Sequence, residues 1–302
     1  MSHAVVLTGF GGPEVLQWRE VETPSAGPGE ILVRVKAAGV GPTDLTIRAG
    51  HLANVFPQGP GSVLGFEAAG VVEQLGADVD GVAVGDEVAV YLPAQGGYGE
   101  LVAASVWHPK PAEVSWQEAA ALPASAEAAL GVLRQVGAAE GDTLVVLGAA
   151  GSVGVIAVQL ARAWGVRVIG AASPRDEELI TSLGAEFVPY GEGVFGRVSA
   201  VTERVDAVVD VAGHGGLPEA VRATGDPARV VTLADHAGAA ATGATMSNPS
   251  PDRAPDALAV TLPMLADGSL RLKRNRSVPF ADAAEAHRLL ESGETRDKIV
   301  LV

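Results

Sequence analysis

The chain has 302 residues, and 48% of them are hydrophobic, which is enough material for two domains with separate cores. The formal net charge is −15 and no long basic block offsets it, so nucleic acids and anionic membrane surfaces are not expected as partners. Because the sequence contains no cysteine, disulfide bonds, a thiolate nucleophile and cysteine-ligated zinc are excluded. The first residues, "MSHAVVLTGFGG", lack the basic and apolar regions of a signal peptide, so we expect a cytoplasmic protein.

Residues 1–122 have the pattern of a compact β-rich domain. Short apolar runs are separated by glycine and proline turns, a spacing typical of short strands. The predicted strands include "ILVRVKAAGV" (31–40), "AAGVVEQLG" (68–76) and "GDEVAVYL" (85–92).

The most apolar stretch, residues 144–168, predicts a strand, a helix and a second strand. Residues 143–148 are a β-branched run, 152–164 have the apolar face of a helix, and 166–171 form a second strand pattern. A membrane span would need about 20 apolar residues that stay helical throughout, which this change of pattern disfavours. Uniformly apolar strands are expected in a parallel sheet buried on both faces, so we predict a βαβ unit.

Glycines lie where the first strand of this unit meets the helix. Gly148, Gly151 and Gly154 leave space for a pyrophosphate at the positive N-terminus of the helix, and Gly154 also permits close packing of helix on sheet. The spacing departs from G-x-G-x-x-G because residue 149 is alanine. We predict a dinucleotide-binding turn, with a glycine-rich packing turn as the alternative.

The alternating pattern continues to about residue 247. After a helix at about 174–183, the predicted strands are 186–189, 205–211 and 229–234, and "AAATGATM" (239–246) is a candidate edge strand. These segments predict a doubly wound parallel sheet. The uncharged edge strand is suited to pairing with a second copy, so we expect a homodimer.

The last segment, "FADAAEAHRLLESGETRDKIVLV" (280–302), predicts one amphipathic helix and a terminal strand. A six-stranded doubly wound sheet has no place for them. We therefore expect this segment to pack back on the N-terminal domain.

Several motifs together resemble one known superfamily. They are "GFGGPEVL" (9–16), "AGVGPTDLTIRAG" (38–50), "LGFEAAGVVEQLG" (64–76), "GDEV" (85–88), "GGYGELV" (96–102), "GAAGSVG" (148–154), "LGAE" (183–186) and "AAEAHRLLESG" (283–293). The chain resembles the medium-chain dehydrogenase/reductase superfamily over nearly its whole length, and within it the zinc-independent quinone oxidoreductases. The resemblance implies an α/β fold with a GroES-like β-rich catalytic domain (1–122 and 248–302) and a Rossmann NADP-binding domain (123–247).

The resemblance also bears on metal. In the alcohol dehydrogenase branch a cysteine and the histidine of a Gly-His-Glu motif hold catalytic zinc, and the matching positions here are Gly41 and Phe66, which cannot ligate a metal. The six histidines are scattered, without helical ligand spacing. We therefore expect no metal site. Without a Lewis acid, hydride delivery to an already electrophilic acceptor, such as a quinone or an enone, is favoured over alcohol oxidation.

Site residues follow from the same resemblance. Those implied near the nicotinamide are Gly41, Pro42, Thr43 and Asp44, with Glu67 and Tyr98 bordering the same cleft. The remaining implied cofactor contacts are Ala150, Gly151, Ser152, Val153, Gly154, Tyr190, Ala212, Gly213, Leu233 and Ala234. Asp44 could instead cap its own turn, and Tyr98 could be a packing residue. Ala128 stands where relatives commonly place a threonine near the nicotinamide.

Position 52 bears on the substrate. Enoyl-thioester reductases and many quinone reductases of the superfamily have a tyrosine there, and this chain has Leu52 beside His51. Quinone reduction gives a hydroquinone anion that water can protonate, so this reaction tolerates the loss of the tyrosine. Reduction of an enoyl thioester needs a proton delivered to carbon and tolerates the loss less well. His51 is a candidate proton donor, with a solvated loop histidine as the alternative.

Ser173 and Arg175 indicate the cofactor. An NAD-preferring site places an acid about 20 residues past the glycine turn. This chain has Ser173 there, followed by Pro174 and Arg175, and the segment resembles that of NADPH enzymes whose serine and arginine hold the 2′-phosphate. The same residues make a good helix start with serine as N-cap, and both interpretations are compatible.

Three functions remain open at this stage. The first is an NADPH-dependent quinone oxidoreductase. The second is a reductase of an enone or enoyl double bond in secondary metabolism, and the third is an NADPH-binding module without catalysis. In each case the ligands are small molecules.

Overall fold

The computed structural model describes residues 1–53, 55–56, 59–248, 250 and 252–302. The chain divides into two compact units. The first comprises Met1–Ala124 and Pro255–Val302, and the second comprises Ser125–Ala254. The assignment of a function to each domain stays a prediction.

The helices and strands follow one another in a regular order. In the first part of the chain they are β1 (Ser2–Leu7), β2 (Leu16–Val21), β3 (Ile31–Gly39), α1 (Pro42–Arg48), β4 (Glu67–Leu75), β5 (Glu87–Tyr91), β6 (Leu101–Ala104), β7 (Val106–Pro109), α2 (Trp116–Ala121) and α3 (Pro123–Gln135). The middle part contains β8 (Thr143–Leu147), α4 (Ser152–Ala163), β9 (Arg167–Ala172), α5 (Glu177–Ser182), β10 (Glu186–Pro189), α6 (Val194–Ser199), β11 (Ala207–Asp210), α7 (Leu217–Thr224), β12 (Val230–Thr232), α8 (His236–Thr242) and β13 (Thr245–Met246). The last part contains α9 (Ala257–Ala266), β14 (Asn275–Val278), α10 (Ala283–Ser292) and β15 (Lys298–Leu301).

The first unit is built on a sheet of seven strands. Their order is β14-β15-β3-β4-β5-β7, with β6 also pairing with β3, and β1 and β2 form a separate antiparallel pair. Alternating residues of the strands, such as Val33, Val72 and Val90, are buried in one core with Ile299. Strand β15 pairs with β3, so the C-terminal segment packs back on the N-terminal strands as the sequence predicts.

The second unit contains a parallel sheet with the order β10-β9-β8-β11-β12-β13. Every residue of β8 is buried, which fits the uninterrupted apolar run from Leu144 to Leu147. The chain starts at β8, proceeds outward to β10 and then returns to β11 on the other side of β8. Ligands of such sheets bind outside the carboxyl ends of the strands at this reversal.

The predicted βαβ unit is confirmed as β8, α4 and β9. The helix predicted at 174–183 begins as a 3₁₀ turn, Pro174–Asp176, before α5. No helix among the described residues is both long enough and apolar enough to span a membrane.

The edge strand predicted at 239–246 is wrong for most of its length. The Asp235 carboxylate accepts a hydrogen bond from the Gly238 N–H (2.7 Å) and thereby caps α8. Gly243 ends this helix in the left-handed conformation (φ +78°), so only Thr245 and Met246 remain for β13.

The homodimer stays a prediction, and two edge residues give it less support than eight. Light scattering at micromolar protein concentration is expected to give twice the chain mass of 30.5 kDa. A monomer mass would count against the dimer.

Candidate functional site

The glycine turn after β8 brings helix α4 close to the strand. Gly148 adopts a left-handed conformation (φ +86°), and Gly151 is the N-cap of α4. A Cβ on Gly154 would lie 2.3 Å from the Gly148 carbonyl oxygen, so only glycine permits this approach. The first N–H groups of a helix have no acceptor within it, so Ser152 and Val153, at the start of α4, are the residues whose N–H groups the sequence predicts to bind an anion.

Three loops meet at the carboxyl ends of the parallel strands. A Cβ on Gly148 would lie 2.9 Å from the Ala212 Cβ, which belongs to the loop after β11. A Cβ on Gly213 would lie 2.6 Å from the Ala234 Cβ, in the loop after β12. The structure thus brings these predicted cofactor residues together, and Ala150 and Leu233 lie in the same loops.

Two buried polar residues that sequence reasoning missed hold the second and third loops. One oxygen of the Asp210 carboxylate accepts hydrogen bonds from the N–H groups of Ala212 and Gly213, both at 3.0 Å. Its other oxygen accepts a 2.8 Å bond from the Thr232 hydroxyl, whose oxygen accepts from the Ala234 N–H at 3.2 Å. The signal was a polar residue ending each of two apolar strands, "AVVD" and "VVT".

The predicted phosphate-binding residues lie after β9. Arg175 Nε donates to the Ser173 hydroxyl over 3.3 Å, and the exposed guanidinium lies beside the serine. Ser173 occupies the N-cap position of the 3₁₀ turn, but its side chain makes no capping hydrogen bond there. Tyr190 follows β10, and its N–H donates to the carbonyl of Ala172, the residue before Ser173. These three side chains therefore belong to two adjacent loops.

In the first unit, the segment from Gly41 to Asp44 begins helix α1. The Asp44 carboxylate accepts a 2.8 Å hydrogen bond from the Gly41 N–H, so Asp44 caps its own helix, the alternative left open by the sequence. Pro42 is exposed and Thr43 is partly exposed, whereas Asp44 is only 2% exposed.

Asp44 belongs to a buried polar cluster. The Tyr98 hydroxyl lies 3.2 Å from His287 Nε2, and both side chains are fully buried. Arg48, also buried, donates to Glu291 at the surface (2.8 Å). Oδ1 of Asp44, Nη1 of Arg48 and Nδ1 of His287 have no hydrogen-bond partner among the residues that the structure describes. Such groups in a native core are commonly bonded to buried water.

Burial controls the titration of this cluster. It raises the pKa of Asp44 to about 6, although the Gly41 hydrogen bond and Lys298 oppose the change. Burial, together with the Arg48 charge, lowers the pKa of His287 to about 3. Burial and the nearby Asp44 carboxylate raise the pKa of Tyr98 well above its ordinary value. At neutral pH we therefore expect ionised Asp44, neutral Tyr98 and neutral His287.

A buried ion pair lies next to this cluster. Glu67 Oε1 is 2.6 Å from Lys298 Nζ, and Glu67 Oε2 accepts a 2.9 Å hydrogen bond from the Ala124 N–H. A Cβ on Gly39 would lie 2.2 Å from Glu67 Oε1, so glycine makes room for this carboxylate. Glu67 is 2% exposed and ties β4 to β15.

The positions that the sequence analysis connects with zinc binding and proton transfer differ in their surroundings. His51 is exposed in the turn after α1, and its neighbour Leu52 packs against the core. Phe66 is 8% exposed and makes an edge-to-face contact with Phe56 (centroids 5.4 Å apart). Within the described part of the chain, no three His, Asp or Glu residues are grouped as a metal site would require. Ala128 is buried in α3.

The buried cluster predicts opposite pH effects for two variants. The unfolded pKa of Asp44 is near 3.8 and the folded pKa near 6, so its contribution to stability falls as pH rises between them. The folded pKa of His287 is near 3 against 6.5 unfolded, so its contribution rises with pH over that interval.

The measurement is urea unfolding of wild type, Asp44→Asn and His287→Gln between pH 4 and 6. Relative to wild type, we expect Asp44→Asn to gain stability as pH rises and His287→Gln to lose it, each by at most about 1.4 kcal/mol per pH unit. The comparison removes the titration of all shared groups. Two difference profiles of the same sign would contradict the assigned ionisation states.

Comparisons with known proteins agree with this architecture. The family model of the alcohol dehydrogenase GroES-like domain matches residues 27–111, and that of the zinc-binding dehydrogenase matches residues 183–301. The quinone oxidoreductase of Pseudomonas aeruginosa is 30% identical, with both chains covered completely.

Solved structures give the same result. The quinone oxidoreductase of Coxiella burnetii has a TM-score of 0.87 at 29% identity, covering 99% of this chain and 98% of the other. The Escherichia coli quinone oxidoreductase, solved in complex with NADPH, has a TM-score of 0.84 at 25% identity and 99% coverage of both chains. The fold and the matched family models define a medium-chain dehydrogenase/reductase. Its GroES-like part and its Rossmann-like parallel sheet are the ones that the sequence predicts. The chain belongs to the quinone oxidoreductase family of this superfamily.

Proposed function

We propose that this oxidoreductase is an NADPH-dependent, zinc-independent reductase that transfers hydride to a quinone or a similar conjugated carbonyl acceptor. The observation that carries the proposal is the arrangement of loops at the carboxyl ends of the parallel strands. There the glycine turn of α4 and the Ser173–Arg175 pair occupy successive loops. A pyrophosphate and a 2′-phosphate are the two anionic groups of NADPH, and these loops offer a separate place for each.

The chain's own residues fit this cofactor. Gly151, the N-cap of α4, has no side chain to cover the first N–H groups of the helix, and Gly154 lets the helix approach the strand, so a pyrophosphate can reach those N–H groups. The Ser173 hydroxyl and the Arg175 guanidinium supply hydrogen-bond donors for the 2′-phosphate, and Arg175 adds a positive charge. Bound NADPH would supply the hydride. Ala212, Gly213, Leu233 and Ala234 would line the path of the cofactor along the strand ends.

The candidate site residues of the first unit differ in their exposure to solvent, and we assign their roles on that basis. Thr43 and His51 have accessible atoms and are the residues we propose to touch substrate or nicotinamide, together with Gly41 and Pro42. Asp44 and Tyr98 are buried, so we propose that they act as positioning residues that fix the start of α1. Hydride addition converts a quinone into a hydroquinone anion, which water can protonate. A buried proton donor is therefore not required.

Zinc independence rests on side-chain chemistry. Gly41 has no side chain and Phe66 presents an apolar ring, so two positions that hold catalytic zinc in the alcohol dehydrogenase branch have no donor atom. Elemental analysis of purified protein is expected to find well below one zinc per chain. One zinc per chain that resists dialysis against a chelator would refute this prediction.

The reaction class is tested with two substrate panels. NADPH oxidation is measured with a set of quinones and with a set of α,β-unsaturated ketones and enoyl thioesters. We expect the highest kcat/KM among the quinones. Higher values throughout the second panel would favour a double-bond reductase, and NADPH binding without turnover in either panel would favour a binding module.

A further inference from the structure

Arg197, in helix α6, holds the loop that follows strand β10. Its guanidinium donates hydrogen bonds to three backbone carbonyls of this loop, those of Pro189 (2.7 Å), Glu192 (3.0 Å) and Gly191 (3.2 Å). A planar guanidinium can satisfy three acceptors in one fixed arrangement, which a lysine ammonium on a flexible stem cannot reproduce in the same geometry.

Backbone hydrogen bonds also hold this loop, among them those from the Tyr190 N–H to the Ala172 carbonyl (2.9 Å) and from the Val194 N–H to the Gly191 carbonyl (3.0 Å). Gly191 (φ +103°) and Gly193 (φ +73°) both adopt left-handed conformations, and neither contributes a side chain that packs. Glycine backbones lose more conformational freedom on ordering than other residues do. The three hydrogen bonds from Arg197 therefore add substantially to the order of this loop.

The loop presents Tyr190. Tyr190 is 52% exposed, although large aromatic residues usually bury most of their surface. The Tyr190 N–H is bonded to the Ala172 carbonyl, which places the loop next to Ser173 and Arg175. The family resemblance implies that Tyr190 stacks near the adenosine end of the cofactor, and an exposed side chain on an ordered loop beside the candidate phosphate site is placed to do so.

We propose that Arg197 is a positioning residue for dinucleotide binding, which acts by holding the loop from Pro189 to Gly193 so that Tyr190 meets the adenosine end of the cofactor. This inference rests on the proposed NADPH site. Because adenosine is common to both cofactors, the effect of Arg197 is the same for NADPH and NADH. The effect of Arg175, by contrast, is specific to NADPH.

The test compares dissociation constants of NADPH and NADH for Arg197→Gln, Arg197→Lys, Tyr190→Ala and the double variant Arg197→Gln/Tyr190→Ala. We expect each single variant to raise the dissociation constants of both cofactors by a similar factor, about three- to tenfold. The double variant is expected to be no weaker than Tyr190→Ala alone, because Arg197 acts through the ring. At saturating cofactor, kcat with a quinone should stay within about twofold, so the loss appears in KM.

The control is Arg222→Gln, which removes the same charge from an exposed arginine of α7 and should change neither dissociation constant. Urea unfolding of every variant separates loop disorder from loss of the fold.

Four outcomes would overturn the proposal. Unchanged binding in Arg197→Gln, with a loss in Tyr190→Ala, would show that the loop does not need the guanidinium. Wild-type dissociation constants for both cofactors in Arg197→Lys would show that charge alone acts, and additive losses in the double variant would show that Arg197 acts independently of Tyr190. Unchanged binding in Tyr190→Ala would instead mean that the proposed placement of adenosine is wrong.

Discussion

Replacing Gly154 with alanine is expected to lower the free energy of unfolding by about 3 kcal/mol and to weaken NADPH binding at least about tenfold. The added Cβ would lie 2.3 Å from the Gly148 carbonyl oxygen and 2.7 Å from the Ala149 Cα. Both contacts are backbone atoms, so no side chain can rotate away. Helix α4 must move from β8, and its N-terminus would leave the position from which we propose that it holds the pyrophosphate.

Two other glycines of the same unit serve as controls. A Cβ on Gly151 would lie 3.3 Å from the Gly148 carbonyl oxygen, so Gly151→Ala should cost only about 1 kcal/mol while still hindering the pyrophosphate. Gly196 in α6 has nothing within 4 Å of its Cβ position, and Gly196→Ala should be neutral or stabilising by up to about 1 kcal/mol. Urea unfolding gives the order of stability, and equal stability of the Gly154 and Gly196 variants would contradict the close-packed turn.

Arg175→Ala is expected to weaken NADPH binding by about ten- to a hundredfold and to leave NADH binding within about twofold. The guanidinium is exposed and its Nε donates to the Ser173 hydroxyl at 3.3 Å, so its terminal N–H groups are the ones that would bond to a phosphate. A charge-assisted hydrogen bond is worth about 1.5–3 kcal/mol, and the 2′-phosphate is the only group that distinguishes NADPH from NADH.

The dissociation constants are measured by nicotinamide fluorescence at two salt concentrations. Since Arg175 is exposed, its contribution should shrink as salt rises. Ser173→Ala, which keeps the charge, should cost less than Arg175→Ala. Equal losses of NADPH and NADH affinity in Arg175→Ala would show that the residue stabilises the loop and does not recognise the phosphate.

The elements that the sequence predicts well are those with strong local signals. The run from Thr143 to Ala172 alternates between β-branched and helical patterns around a glycine turn, and each change of pattern is a change of element. The predicted strand at 239–246 fails because its small apolar residues suit either structure. The capping interaction of Asp235 decides for a helix there, and no alternation of polar and apolar residues opposes it.

Within the candidate site, contacts between residues close in sequence were predictable, and contacts between distant residues were not. Ser173 and Arg175 are two residues apart, so their contact follows from local sequence. Tyr98 and His287 are 189 residues apart, and only the packing of the first unit reveals their contact. Burial was likewise invisible in the sequence, and it is burial that separates Asp44 from its partly exposed neighbour Thr43. The hydrogen bonds from Arg197 to the loop of Tyr190 were also not predictable, because their acceptors are backbone carbonyls, which every residue has.

The most direct measurement is the initial rate of quinone-dependent oxidation of NADPH and NADH by protein that has been treated with a strong chelator. We expect turnover that the chelator does not change, with a kcat/KM for NADPH at least about tenfold above that for NADH. Turnover that disappears with the chelator and returns with zinc, or a higher kcat/KM for NADH, would contradict the proposed function.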